Sequence, residues 1–84
     1  MQKLRPDMDI GKNIRNLRNR TKLTQEQAVA KMNILGIDIS VSTYAKIETN
    51  RMNIKISELM ALKKIYKAEI ADFFEGLDDE IAEC

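Results

Sequence analysis

The sequence contains no histidine and no tryptophan, and its single cysteine is Cys84. Without histidine and with one thiol, the chain offers no Cys/His cluster to zinc and no partner for an internal disulfide. It also lacks a glycine-rich phosphate loop and a pair of acidic residues placed for general acid and base catalysis. We therefore expect a protein that is not an enzyme and that binds no metal or cofactor.

Long apolar segments are missing as well, since charged residues make up 32% of the 84 residues and interrupt the hydrophobic stretches. No segment is long enough to predict a membrane span, and the first residues lack the apolar centre of a secretory signal. Aromatic residues are few, with two Tyr and two Phe, which disfavours a sheet protein. We expect one cytoplasmic domain with a single modest core.

Charge is distributed unevenly along the chain, although the net charge is only +1. Residues 1–67 carry all fourteen basic residues and six acidic ones, a net charge of +8. Residues 68–84 carry seven acidic residues and no basic one. This division has two interpretations. Residues 1–67 are attracted to a polyanion while residues 68–84 are kept away from that polyanion, or the charges belong to an ordinary solvated surface.

Apolar residues recur at spacings of three and four along most of the chain, and this period predicts helices. Helix 1 is expected to follow Asp9, a good capping residue, and to end near Thr21. Thr24 and Gln27 have the spacing of a capping box at the start of helix 2. The apolar stripe of that helix stops at Gly36, which suits the position just past a helix end.

Three further helices are predicted in the second half of the sequence. Ser40 is the expected cap of a short helix 3, a solvated basic loop covers residues 49–55, and Ser57 is the expected cap of helix 4. Helix 5 begins near Glu69. The sequence therefore predicts an all-α fold of five helices, with an arm over residues 1–8, a domain over residues 9–75 and an acidic tail over residues 76–84.

The segment from Thr24 to Glu48 carries motifs that together are specific for a family. Thr-Gln-Glu at residues 24–26 and Ser-x-Ser-Thr-Tyr-x-Lys-Ile-Glu at residues 40–48 resemble the helix-turn-helix of the phage repressor and Cro family, also called the xenobiotic-response-element family. The resemblance covers roughly residues 9–74. It implies a lambda-repressor-like fold and a transcription regulator, a repressor, that binds double-stranded DNA as a homodimer on a palindromic operator.

The resemblance also implies how helix 3 contacts DNA. The helical wheel turns Tyr44 and Ile47 inward, while Val41, Ser42 and Lys46 occupy the family's base-reading positions. Val41 suits contact with a thymine methyl, and Ser42 suits a hydrogen bond to either a donor or an acceptor on a base. Lys46 suits a hydrogen bond to guanine or, equally, a contact with a phosphate. Contacts to the DNA backbone are implied for Gln25, Thr43, Asn50, Arg51, Asn53 and Lys55. For Gln25 and the loop residues, a solvated surface without a DNA contact is the alternative.

Other features concern how helix 3 is held. Family members often pair an arginine of helix 1 with the glutamate that closes helix 3, which implies a partly buried ion pair between Arg18 and Glu48. The connection from Lys31 to Ser40 is about five residues longer than usual, and the simplest fit extends helix 2 by a turn. Lys67 occupies the position between helices 4 and 5 at which family members often have a glycine. These two helices are therefore expected either to merge or to be joined by a tighter bend.

The C-terminal region supports two further interpretations. Self-association is expected through the apolar residues Ile70, Phe73, Phe74 and Leu77, unless these side chains close the core instead. An alternative function is a protein-interaction module, such as an antitoxin or antirepressor, whose acidic tail binds a basic partner.

Overall fold

The computed structural model describes residues 10–76 and contains five α-helices and no strand within that part of the chain. The helices are α1 (Ile10–Thr21), α2 (Gln25–Ile34), α3 (Val41–Glu48), α4 (Ile56–Ile65) and α5 (Ile70–Phe73). The predicted all-α fold with five helices is confirmed. The expected arm over residues 1–8, the expected cap at Asp9, and Cys84 lie outside the described residues. No helix within residues 10–76 has the length and apolar character needed to cross a membrane.

Side chains cap the first turns of α2 and α3, as the sequence predicts. The N–H of Gln27 donates to Oγ1 of Thr24 at 3.0 Å, and the N–H of Thr24 donates to Oε1 of Gln27 at 2.9 Å. The N–H of Thr43 donates to Oγ of Ser40 at 3.1 Å. Each bond satisfies an amide that has no partner inside a helix, and the caps thus fix where both helices begin.

The start of α4 differs from the sequence prediction, because Lys55 and not Ser57 is the capping residue. The main-chain N–H of Lys55 donates to Oε1 of Glu58 at 2.8 Å. This bond starts the helix two residues earlier than expected, and Ser57 lies exposed inside the first turn. The prediction for Ser57 was wrong because it relied on the preference for serine at the capping position. It did not consider the carboxylate of Glu58, three residues after Lys55, which accepts the N–H of Lys55.

Four helices are followed, within two residues of their ends, by a residue with a left-handed backbone, namely Lys22 (φ 61°), Gly36 (φ 90°), Asn50 (φ 63°) and Lys67 (φ 52°). The N–H groups of each of these residues and of the next one bond to carbonyl groups of the last helical turn. Gly36 therefore ends α2 as predicted. Lys67 adopts the left-handed conformation although it has a Cβ atom, so α4 and α5 are two helices and do not merge.

The long connection between α2 and α3 is held by one side chain. Helix α2 continues to Ile34, which agrees with the expected extra turn. Beyond its end, Nδ2 of Asn33 donates to the carbonyl oxygens of Ile37 at 2.8 Å and Ile39 at 3.2 Å. Ile39 is buried and Ile37 packs against the core, so this connection has a defined path.

The core lies between the helices and is formed mostly by large aliphatic and aromatic side chains. Its largest fully buried side chains are Ile14, Met32, Tyr44, Ile47, Leu62, Tyr66 and Phe73. Helix α3 packs against both α1 and α2, while α2 packs against α4 and α1 against α5. The core therefore positions the inner face of α3 directly.

Helix α5 closes the core, which corrects one part of the self-association prediction. Phe73 is fully buried within its own chain and cannot contact a second copy, whereas Ile70 and Phe74 are exposed. Leu77, the fourth residue of that group, lies outside the described residues. Sequence period alone did not indicate which of the two adjacent phenylalanines faces inward.

Candidate nucleic-acid interface

Helix α3 has a buried face and an exposed face. Tyr44 and Ile47 are buried in the core, whereas Ser42 and Lys46 are exposed and Val41 is half-buried. The predicted orientation of this helix is therefore confirmed. Short polar and basic groups face outward from a helix whose width matches the DNA major groove, so the exposed face is available for contact with base edges.

The inner end of α3 is tied to α1 by a bidentate ion pair. Nε of Arg18 donates to Oε2 of Glu48 at 2.6 Å, and Nη2 donates to Oε1 at 3.0 Å. Nη1 of Arg18 donates to the carbonyl oxygen of Leu23 at 3.0 Å, so the guanidinium also holds the turn between α1 and α2. The side chain of Glu48 is only 1% exposed. Removing one partner would leave the other charge buried and unpaired, so the loss of stability is expected to be larger than for a surface ion pair.

Gln25 joins the same carboxylate, a contact that the sequence did not predict. Its Nε2 donates to Oε1 of Glu48 at 3.0 Å and connects the first residue of α2 to the last residue of α3. Burial by itself would raise the pKa of Glu48, but hydrogen bonds from Arg18, Tyr44 and Gln25 outweigh it and lower the pKa below its ordinary value. The hydrogen bond to Glu48 is also the main reason that the pKa of Arg18 is raised. Glu48 is thus held as an anion where α1, α2 and α3 meet.

A pair of buried tyrosines lies beneath α3. The hydroxyl groups of Tyr44 and Tyr66 form a hydrogen bond with each other, and this contact gives Tyr44 the polar partner that its burial requires. Burial raises the pKa of Tyr66 to about 12 and also raises the pKa of Tyr44. Both hydroxyl groups therefore stay protonated at neutral pH. No sequence pattern had linked the two residues, which are 22 positions apart.

The C-terminal end of α3 packs closely against α1 at Gly11. A Cβ atom at this position would lie 2.5 Å from the carbonyl oxygens of Ile47 and Glu48. Such a distance is shorter than any ordinary contact, so the missing side chain of Gly11 sets the separation of α1 and α3. No motif of the sequence includes Gly11, and its place in the interior of a predicted helix was the available signal.

Two of the expected backbone-contacting residues also serve the fold. The hydroxyl of Thr43 accepts a hydrogen bond from Oγ of Ser40 at 3.1 Å, beside the cap of α3. Oδ1 of Asn50 accepts the main-chain N–H of Gly11 at 3.4 Å, which connects the end of α3 to the first turn of α1. A DNA contact by either residue remains a prediction.

The remaining three expected residues lie in the segment between α3 and α4. Arg51, Asn53 and Lys55 are exposed, and Nε of Arg51 donates to Oγ1 of Thr49 at 3.0 Å. Ile54, in the same segment, is partly buried against the core. The segment is therefore anchored to the domain while its basic and polar side chains face solvent.

A capped α2, a connecting segment and an α3 with a polar outer face define a helix-turn-helix protein. A family model described as Helix-turn-helix matches residues 14–73, and the chain belongs to this family, of the Cro/C1 type. Members of this family bind DNA and regulate transcription, and the family is not an enzymatic one. No significant match was found among curated proteins or among solved structures.

Proposed function

We propose that this protein is a sequence-specific repressor that binds a palindromic operator as a homodimer and reads the major groove with α3. The observation that supports this most directly is the division of α3, in which Ser42 and Lys46 are exposed while Tyr44 and Ile47 are buried. Repression would follow from occupancy of a promoter, because a bound dimer excludes other proteins from the same DNA.

Three residues carry the proposed recognition of bases. The hydroxyl of Ser42 pairs with either a donor or an acceptor on a base edge, and Lys46 donates to O6 and N7 of guanine. Val41 contacts a thymine methyl through the part of its side chain that remains accessible. If Lys46 instead contacts a phosphate, its replacement will weaken binding to all sequences alike.

The proposed contacts to the DNA backbone come from two places. The segment after α3 supplies Arg51, Asn53 and Lys55, all exposed, together with Asn50. The start of α2 supplies Gln25, whose amide group has a second hydrogen beyond the one directed at Glu48. Thr43 completes the set. With about six phosphate contacts, affinity is expected to fall roughly a thousandfold between about 50 and 200 mM salt.

The proposed dimer places two copies of α3 in successive major grooves. Half-sites in such complexes lie about 34 Å apart, one turn of the duplex. Ile70 and Phe74 of α5 are exposed and remain available for self-association after Phe73 has been assigned to the core. Sedimentation of the protein with and without operator DNA tests this part, and a monomer in both conditions would remove the dimer and the palindrome.

Selection of bound sequences from a random duplex pool tests the DNA-reading face. The wild type is compared with Ser42→Ala and Lys46→Ala, and Arg15→Ala serves as the control because it removes an exposed positive charge from α1. We expect Ser42→Ala and Lys46→Ala to relax the selected sequence at separate positions, and Arg15→Ala to select the wild-type sequence. Recovery of the same sites with unchanged affinity by both α3 variants would contradict the proposal.

A further inference from the structure

An apolar groove lies between the C-terminal end of α2 and α4, and we refer to it as the α2–α4 groove. Its walls include Leu35 and Met60, which are 45% and 48% exposed, and the half-buried Ile65. Ile34 stands at its edge with 83% of its surface exposed. Neighbouring exposed apolar side chains of this kind on a small domain offer a contact site to another chain.

Three lysines surround the α2–α4 groove. Lys31, Lys63 and Lys64 line it, and none of them forms an ion pair within residues 10–76. Lys31 lies six residues after Gln25, and Lys63 and Lys64 lie eight and nine residues after Lys55, which places them about 9–14 Å along the helices from these proposed DNA contacts. These lysines are therefore separate from the proposed DNA contacts, and the groove suits a segment that is both acidic and apolar.

The sequence of this chain contains a segment with that chemistry. Residues 77–84 include Leu77 and Ile81, which are four positions apart, together with Asp78, Asp79, Glu80 and Glu83 and no basic residue. Two aliphatic side chains match the apolar walls of the groove, and the four negative charges match its three lysines. Complementary charge of this kind favours one partner over others.

Attachment of α5 to α1 favours a second copy as the source of the segment. Nδ2 of Asn13, in α1, donates to the carbonyl oxygens of Phe73 at 2.9 Å and Glu75 at 3.0 Å. The chain is thus fixed beside α1 immediately before residue 77, whereas the groove is formed by α2 and α4. Residues 73–75 of the same copy are held on the α1 side of the domain, whereas the arrangement of two chains can bring the groove of a second copy up to the segment that follows.

We propose that the α2–α4 groove binds the acidic segment 77–84 of a second copy of this chain, and that the exchange is reciprocal. A reciprocal contact gives a closed dimer with twofold symmetry. The proposal rests on the proposed function in one respect, the association of two copies, and it does not require DNA. It assigns the acidic tail to a contact that keeps it away from the operator.

Sedimentation equilibrium of full-length variants tests the contact. The tail variant Leu77→Ser/Ile81→Ser and the groove variant Ile34→Ser/Leu35→Ser are compared with the wild type, and Ala82→Ser is the control in the tail. The control is expected to dimerise as the wild type does. Each of the two test variants is expected to raise the dimer dissociation constant about a hundredfold, since each removes two buried aliphatic side chains from the contact.

Charge reversal provides a second test that does not depend on the apolar residues. Lys63→Glu/Lys64→Glu is expected to weaken the dimer, and Asp78→Lys/Asp79→Lys in the same chain is expected to restore it. Restoration identifies the pairing and excludes misfolding as the cause of the loss. A tail variant that dimerises like the wild type would overturn the proposal.

The outcomes also separate this contact from the proposed function. If Phe74→Ser abolishes the dimer while the tail and groove variants leave it intact, the homodimer stands and the groove contact is refuted. If the wild type is a monomer both free and on its operator, the homodimer and the groove contact fail together. The selection experiment with Ser42→Ala and Lys46→Ala tests the reading of DNA in either case.

Discussion

Replacement of Gly11 by alanine tests whether close contact between α1 and α3 sets the position of the recognition helix. The new Cβ atom would lie 2.5 Å from the carbonyl oxygens of Ile47 and Glu48 and 2.8 Å from the carbonyl carbon of Glu48. Ordinary contacts begin near 3.4 Å, so the two helices must separate by about 0.9 Å. The opposing atoms belong to the backbone, and no side-chain rotation can relieve the overlap.

Two opposing effects determine how much Gly11→Ala changes the free energy of unfolding. Alanine is favoured over glycine inside a helix by about 1 kcal/mol. Overpacking of a rigid contact costs typically about 1–3 kcal/mol and sometimes more, and backbone atoms on both sides place this case at the upper end. We therefore expect Gly11→Ala to lower the free energy of unfolding by about 2 kcal/mol in total.

Urea unfolding followed by circular dichroism measures this loss, with Asn16→Ala as the control on the exposed side of α1. The control gains helix propensity without a clash, so its stability should rise by a few tenths of a kcal/mol. Affinity for the selected operator should fall with Gly11→Ala, because the shift moves α3 relative to the rest of the domain. If Gly11→Ala is as stable as the wild type or more stable, the contact does not set the helix separation.

Three further predictions concern the interior and the helix ends. Glu48→Gln should cost about 3 kcal/mol at neutral pH because it leaves Arg18 without its ion-pair partner. Since the folded-state pKa of Glu48 lies below the ordinary 4.5, the ion pair stabilises the protein above that pH and is lost as the pH falls through the lowered pKa. The difference between wild type and variant in urea titrations should therefore shrink below pH 4.5, and a constant difference would contradict the role of this carboxylate. Tyr44→Phe and Tyr66→Phe should each cost about 1–2 kcal/mol, and the double variant less than the sum, because both single changes remove the same hydrogen bond between the two buried hydroxyl groups; strictly additive costs would refute the pair. Lys67→Gly should raise stability by about 0.5–1 kcal/mol by removing left-handed strain, whereas Lys67→Ala should not; an equal gain from both would point to the lost charge instead.

Local signals account for what could be predicted from the sequence. The caps at Thr24 and Ser40 and the stop at Gly36 depend on neighbouring residues, and the helices begin and end there as expected. The cap at Ser57 failed for an equally local reason, because Glu58 accepts the N–H of Lys55 and the helix starts earlier. Two local signals for the start of α4 thus competed, and the capping preference of serine alone predicted the wrong first residue.

Contacts between distant residues could not be predicted in the same way. The bond from Gln25 to Glu48 and the bond between Tyr44 and Tyr66 join residues 23 and 22 positions apart, and no periodicity encodes them. Arg18 and Glu48 were paired through the family resemblance and not through spacing. The burial of Phe73 was also decided by the packing of α5 against α1, which a helical period does not specify.

The attachment of α3 has a consequence for how the protein can change. Its contacts with the domain run through its inner face and its two ends, at Tyr44, Ile47, Glu48 and the cap at Ser40. Ser42 and Lys46 take part in none of them, whereas Val41 packs partly against the core. New operator preferences can thus arise by substitution at positions 42 and 46 with little penalty in folding, while a change at position 41 must satisfy the DNA and the interior together.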